Sequence, residues 1–366
     1  MPETQITEVE LTLHRKNAIS LLKKLIEIPS YSLNEEKRAD YLSAYLKNRG
    51  VCVTRIKNNL ICVSKNFNKK SKILMLNSHI DTVKESDSYT KNPFEPEESE
   101  GKIYGLGSND AGASVVSLIE TFLHFEQKAE NIMLVLTAEE ECSGKEGMDA
   151  IVNYFETKAG YRPEYVIIGE PTGMKVAIGE HGLLVIDAFA KGISGHAARN
   201  DGVNALYKAI DDINMLRNYK FGKHSELMGD VKMTVTIINS GYAHNVIPDK
   251  CTFTIDIRPT DVYTNSEIYE ELQQKVSSTL KPRNLSNRTS STPKNSSLIQ
   301  CAIECGVEQY ISPTTSDWMR INYPSIKMGP GESARSHKAD EYIFINEIEE
   351  AIKKYIIFIN TLCNIK

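Results

Sequence analysis

The sequence predicts an α/β protein in two parts: a larger domain with a mainly parallel central sheet, and a smaller α+β domain inserted into it. Three observations carry that reading. Short apolar runs at 73–76, 132–136 and 165–168 alternate with amphipathic stretches, the pattern of strands buried on both faces with helices between them. Each run leads into histidine, aspartate or glutamate, and in such sheets ligands gather beyond the carboxyl ends of the strands. From about residue 180 to 290 the strands instead alternate apolar and polar residues, which suits a sheet with one solvated face. The larger domain is therefore expected over 1–179 and 291–366, and the inserted one over 180–290.

The elements follow from local pattern. Leucines and isoleucines at helical spacing over 19–28 end an amphipathic helix that Pro29-Ser30 stops. A second helix over 35–48 is closed by Gly50. Residues 51–56 and 60–64 read as a strand pair, and the polar turn 66–70 precedes the first buried strand. Glycine-rich 101–112 leads into a helix over 113–125, with Asp110 placed to start it. Gly105-x-Gly107 lacks the third glycine of a dinucleotide cradle, because Asp110 stands in its place and would repel a phosphate. A helix over 147–154 follows the second buried strand. In the inserted part, strands are expected at 183–190, 232–239 and 251–258, and helices at 202–216 and 266–279. The polar stretch 283–297 reads as a linker. A helix at 298–305, a strand at 325–328 and a final helix at 346–362 complete the larger domain.

Composition narrows the function. Lys and Arg number 43 against 48 Asp and Glu, a net charge of -5, without the basic stripe that a nucleic-acid partner requires. No apolar run reaches membrane-spanning length, and the first residues lack the basic and then apolar character of a secretory signal. Seven cysteines, none in a Cys-x-x-Cys pair, do not form a disulfide framework. A cytoplasmic protein with reduced thiols is expected.

The residues that carry chemistry are His79, Asp81, Asp110, Glu140, Glu141, Glu170 and His337. Positions two apart in extended backbone face the same side, so His79 and Asp81 fall together at the end of the first buried strand. They read as a metal-binding imidazole with a carboxylate that orders it, or as a polar turn. Singly, each of the others has an ordinary role too. Asp110 can cap a helix, Glu139 to Glu141 can form a solvated turn, and His196 and His337 can be turn histidines. Together, imidazole and carboxylate without thiolate form the ligand set of zinc or a similar divalent ion. Two histidines and three carboxylates suit two ions bridged by one carboxylate, roughly 3.5–4 Å apart. So many anions in one place need a cation, or several must bind protons.

These residues sit in the motifs Asn77-Ser-His79-Ile-Asp81-Thr-Val, Gly105-x-Gly-x-x-Asp110, Thr137-x-x-Glu140-Glu141, Gly169-Glu170-Pro-Thr, Gly195-His196-Ala-Ala, Asn245-Val-Ile-Pro and Gly329-Pro-Gly. In order and over nearly the whole chain, they resemble the M20 family of metallo-aminoacylases and peptidases, and within it the acetylornithine deacetylases. The resemblance implies a zinc-exopeptidase-like catalytic domain with a ferredoxin-like inserted domain that serves as lid and dimer contact. It implies that His79 and Glu170 hold one zinc, Glu141 and His337 the other, with Asp110 bridging. One or two zinc ions are expected, with cobalt able to substitute. Asp81 would orient His79, and Glu140 would be the general base. Glu139 takes the single acidic position that precedes the base in the family pattern. His196, supplied by the partner subunit of a homodimer, would donate to the tetrahedral oxyanion.

Asn245, Arg258 and Gly331 are the candidates for substrate binding. Arg258 can fork a carboxylate or pair with Asp256, and Trp318 can line an acyl pocket or pack in the core. The implied reaction is hydrolysis of the N-acyl amide of a small N-acylated amino acid, N-acetyl- or N-succinyl-ornithine, giving ornithine in arginine biosynthesis. A succinyl group would call for an extra cation such as Arg199 or Arg335. A dipeptidase or a succinyl-diaminopimelate desuccinylase on the same scaffold is the competing reading. A non-catalytic binding protein would have lost a ligand or the base, and none is missing.

Overall fold

The computed structural model describes residues 6–128, 131–199 and 201–364. The chain divides into two compact units. The first runs to Ile178 and resumes over Thr292–Tyr310 and from Ser316; the second comprises Gly179–Ser291 and Ile311–Thr315.

Four parallel strands form the centre of the first unit, in the order Ile132–Thr137, Leu74–His79, Tyr165–Ile168 and Ser325–Lys327. An antiparallel pair, Cys52–Ile56 and Asn59–Val63, extends the sheet beyond Ile132–Thr137. Every residue of Leu74–His79 and of Ile132–Thr137 is buried, and the pleat divides them between two cores. Leu74, Leu76, Leu134, Leu136 and Ile167 join a core shared with the helices Glu8–Ile26, Ala113–Glu126 and Ile345–Asn364. Met75, Met133, Val135, Val166 and Ile168 join a second core with the helix Met148–Tyr154, Phe155 and Trp318. Each such side chain contributes about 1.5–3 kcal/mol by leaving water, so polar groups can concentrate only where the strands end.

Helix starts follow the sequence. Thr7 and Glu10 form a reciprocal capping box at the start of Glu8–Ile26. Arg38, 4% exposed on the helix Glu36–Lys47, donates to the carbonyls of Leu25, Ile28 and Ile80. It thereby fixes the backbone between His79 and Asp81.

In the second unit an antiparallel sheet has the order Lys232–Ser240, Lys250–Arg258, Leu184–Lys191 and Thr279–Pro282. The helices Ala205–Asn218 and Asn265–Gln273 pack on it around one apolar core. Its element order is β-α-β-β-α-β, with the first and last strands adjacent, as in ferredoxin-like folds.

Several elements differ from the sequence expectation. The helix expected over 266–279 stops at Gln273. Ser277 and Ser278 bond to Asp212, which takes the chain off the helical path and into the strand Thr279–Pro282. The stretch 283–297 is not wholly a linker, since Ser290 and Ser291 pair with Glu180 and Gly179. Glu97–Ser99, Lys102–Tyr104 and Tyr342–Phe344 form a three-stranded sheet that the sequence did not announce, because strands this short carry no periodic signal. Among the described residues, no helix is long and apolar enough to cross a membrane.

Candidate active site

The parallel register sets His79 opposite Thr137, so the segments holding Asp81 and Glu140–Glu141 leave the sheet side by side. His79 is 2% exposed. Its Nε2 lies 3.2 Å from Asp110 Oδ1 and 3.8 Å from Glu170 Oε1. His337 Nε2 lies 3.1 Å from Glu141 and 3.8 Å from Asp110 Oδ2. Asp110 thus turns one oxygen toward each histidine. Two groups that could hold a metal ion result, His79–Asp110–Glu170 and Asp110–Glu141–His337, each with its donor atoms within 4.8 Å of one another. A third joins His79 to Glu140 and Glu141 on the same criterion.

Asp81 organises one side of this cluster. One of its oxygens accepts the N–H of Glu140 at 3.1 Å; the other accepts the N–H of Glu141 at 3.1 Å and the Ser32 hydroxyl at 2.7 Å. Its Oδ1 is 3.4 Å from His79 Nδ1, which also faces the Asp81 carbonyl at 3.1 Å. With Nδ1 turned to Asp81, Nε2 is the ring nitrogen that faces Asp110 and Glu170. Glu139 is in none of the three groups: at φ +58 its carboxylate accepts the N–H of Glu146 at 3.0 Å.

Electrostatics match a donor set built for positive charge. Burial lifts Glu140 well above the carboxylate range, against the pull of His79 and with Glu170 and Glu141 adding to it. Burial also lifts Glu170 to about 8, again against His79 and with Asp110 adding. Desolvation is the largest influence on Asp81 and Asp110 as well, but the hydrogen bond and attraction of His79, joined by Ser32 and the Glu141 N–H at Asp81 and by Ser336 and His337 at Asp110, together hold both below their ordinary values. For His79 burial opposes the charge, yet Asp110 and Asp81 keep its pKa well above normal. His337 is raised to about 9, first by its bond with Glu141. A divalent cation among these groups would favour the charged forms of Glu140 and Glu170 against that burial and repulsion. Oxygen and imidazole donors without thiolate fit zinc or a similar ion.

The Gly329-Pro-Gly331 turn is packed against Glu170 and Asn109. A Cβ on Gly329 would stand 2.4 Å from the Glu170 carbonyl oxygen, and one on Gly331, at φ +83, 2.3 Å from Asn109 Oδ1. Trp318 is 2% exposed within the second core of the sheet, so packing rather than a pocket wall accounts for it. The other candidates lie in the second unit. His196 is exposed on a short strand paired with Val246–Ile247, and the Asn245 carbonyl accepts the N–H of Ala197. Arg258 is engaged bidentately by Asp256, at 2.8 and 3.1 Å, so its fork is filled from its own strand rather than open. Arg335, in the first unit, is likewise held by Glu347 at 2.7 and 3.1 Å.

Two residues beside the strand ends that carry His79 and Thr137 escaped the sequence reading. Asp317, 4% exposed, accepts the Thr137 hydroxyl at 2.5 Å at the end of a central strand. Arg38 is the other, and its signal was a cation on the apolar face of a short helix.

The family model for peptidase family M20/M25/M40 matches residues 75–361. A succinyl-diaminopimelate desuccinylase of Erythrobacter litoralis (strain HTCC2594) is 26% identical over 92% of this chain and 97% of its own. An acetylornithine deacetylase of Edwardsiella ictaluri (strain 93-146) is 28% identical over 89% of this chain and 92% of its own. In fold, an M20 family metallo-carboxypeptidase from Sulfolobus solfataricus superposes with a TM-score of 0.78 at 17% identity, covering 95% of this chain and 99% of that one. A dinuclear metal binding peptidase of the same family from Bacillus subtilis gives 0.71 at 13% identity, over 97% of this chain and 99% of its own. The central parallel sheet, the ligand motifs and the length of the match together make this chain a member of peptidase family M20/M25/M40, a metallo-hydrolase.

Proposed function

We propose that the protein hydrolyses the N-acyl amide of an N-acylated amino acid, with N-acetyl- or N-succinyl-ornithine as substrate and ornithine for arginine biosynthesis as product. The observation that carries this reading is the meeting of His79, Asp110, Glu141, Glu170 and His337, from five separate segments, in two groups that share Asp110. These five would hold two zinc ions, or cobalt in their place. When bound, such ions polarise the scissile carbonyl and make water acidic enough to be activated near neutral pH. Glu140, beside His79 and Glu141, takes the proton from the attacking water and delivers it to the leaving amine nitrogen. Asp81 keeps His79 and the Glu140–Glu141 backbone in place. On the family resemblance, His196 of the partner subunit would make the oxyanion contact, Asn245 and Gly331 would contact substrate, and Arg258 would bind a substrate carboxylate only by releasing Asp256.

Homodimerisation through the second unit has its own support. Lys232–Ser240 is an edge strand of that sheet, and it exposes Ile237 and Ile238 by 51% and 46%. Unpaired edges with apolar side chains are pairing surfaces. Cys52, Cys62, Cys142, Cys251, Cys301 and Cys305 form no disulfide, which suits a reducing cytoplasm. Relatives bearing the desuccinylase name favour a second reading, cleavage of N-succinyl-diaminopimelate. Turnover of N-acetyl-ornithine, N-succinyl-ornithine and N-succinyl-diaminopimelate, measured after stripping and restoring zinc or cobalt, separates the two. Release of ornithine only with metal restored is expected, and no cleavage of either ornithine derivative would refute the first reading.

A further inference from the structure

The loop that carries His337 continues through Asp340 and Glu341. Glu341 is 3% exposed, and its carboxylate accepts three backbone N–H groups of a single turn. Gly107 donates to one oxygen, Asn109 and Asp110 to the other, all at 2.8 Å. That turn is irregular: Gly107 has φ +74, and Asp110 has φ -119 and ψ 100. The brace also runs the other way. Asn109 Nδ2 donates to the Glu332 carbonyl at 3.2 Å and to Ser336 Oγ at 3.3 Å, while its Oδ1 accepts the Glu332 N–H at 3.0 Å. Asp340 anchors the far side by accepting the N–H groups of Thr90 and Lys91 at 2.9 and 3.0 Å.

We propose that Glu341 and Asn109 are positioning residues: a reciprocal brace that fixes Asp110 against His337 and so sets the spacing of the ligands to the second ion. The proposal rests on the metal-dependent reading above. Ligand constellations tolerate displacements of only about 0.5 Å, and Asp110 and His337 sit on loops far apart in sequence. Each loop is tied to the other by the residue next to, or just beyond, its own ligand. The chemistry of position 341 is specific. A carboxylate carries only acceptors, so it satisfies three convergent donors. An amide has one oxygen and turns its NH2 toward at least one N–H.

The test compares Glu341→Gln, Glu341→Asp and Asn109→Ala with the wild type. Amide hydrogen exchange is measured on metal-free protein, and zinc binding by calorimetric titration. In Glu341→Gln, the amides of Gly107, Asn109 and Asp110 should exchange at least tenfold faster while those of the central strands are unchanged. One of the two zinc-binding steps should weaken tenfold or more and at least fivefold more than the other, since Asp110 serves both groups but His337 only one, with partial recovery in Glu341→Asp. Asn109→Ala should weaken the same step. A purely structural role would lower the melting temperature and leave the two steps alike. Wild-type exchange at those three amides overturns the brace, and faster exchange with both zinc steps intact overturns its role at the ions. A wild-type protein that takes up no zinc counts against the proposed function itself, and the exchange result still decides the brace.

Discussion

Replacing Asp81 with asparagine removes one acceptor and adds a donor at a residue 1% exposed. The native carboxylate takes the N–H of Glu140 on one oxygen, and the N–H of Glu141 and the Ser32 hydroxyl on the other. An asparagine side chain can satisfy only one of the two backbone donors, whichever way its amide is turned. The Ser32 hydroxyl can rotate to accept, but an N–H cannot, so one buried donor is left facing a donor. That loss amounts to about 1–3 kcal/mol. The same change leaves His79 Nδ1 without a full negative charge 3.4 Å away, and disturbing a group that orients a metal ligand typically lowers metal affinity or activity by about 10–100-fold. Urea titration should show the stability loss, and zinc titration with initial rates on N-acetyl-ornithine should show the affinity and activity losses. As a control, Ser32→Ala should cost about 1 kcal/mol and change the rates little, because both backbone donors keep their acceptors. An Asp81→Asn protein with wild-type zinc affinity and turnover would refute the reasoning.

Glu140→Gln should keep wild-type metal content by elemental analysis yet lose about 10²–10⁴-fold in kcat, the usual worth of a positioned base; near-normal rates would remove it from that role. Glu141→Ala should lower the metal content from two ions toward one, since it strips one donor from the Asp110–Glu141–His337 group; unchanged stoichiometry would assign the ligand elsewhere in 139–141. His124, half-buried, is pushed down to about 4 by burial, with Lys128 and His14 adding. Its folded pKa lies below the unfolded value of about 6.5, so its contribution is fully present above that pH and is lost as pH falls toward 4. His124→Gln should therefore flatten the fall in stability between pH 6.5 and 4, read by urea titrations at both ends; parallel curves for the two proteins would exclude it.

The sheet was legible because strands buried on both faces must be apolar throughout, as Ile73 to Leu76 and Ile132 to Leu136 are. Of the five clustered side chains, His79, Glu141 and Glu170 were legible for a related reason: a histidine or acid soon after such a run has nowhere to be but the carboxyl edge, whereas Asp110 and His337, on loops, stood out only through the motifs around them. Glu341, Asn109 and Arg38 were not, although each is as deeply placed. Their partners are backbone N–H and carbonyl groups of distant segments, and backbone partners leave no trace in side-chain identity. Boundaries failed for the same reason. Nothing local in 274–278 announces that Asp212, on another helix, will capture Ser277 and Ser278. Arg258 shows the converse limit: its sequence offered both a free fork and a pair with Asp256, and only the strand geometry chose the pair.

Anomalous diffraction at the zinc edge, from crystals of the zinc-loaded and active protein, tests the central claim most directly. Two peaks are expected roughly 3.5–4 Å apart, one among His79, Asp110 and Glu170, the other among Asp110, Glu141 and His337. Zinc peaks lodged elsewhere, with these five side chains bare in an active protein, would contradict it.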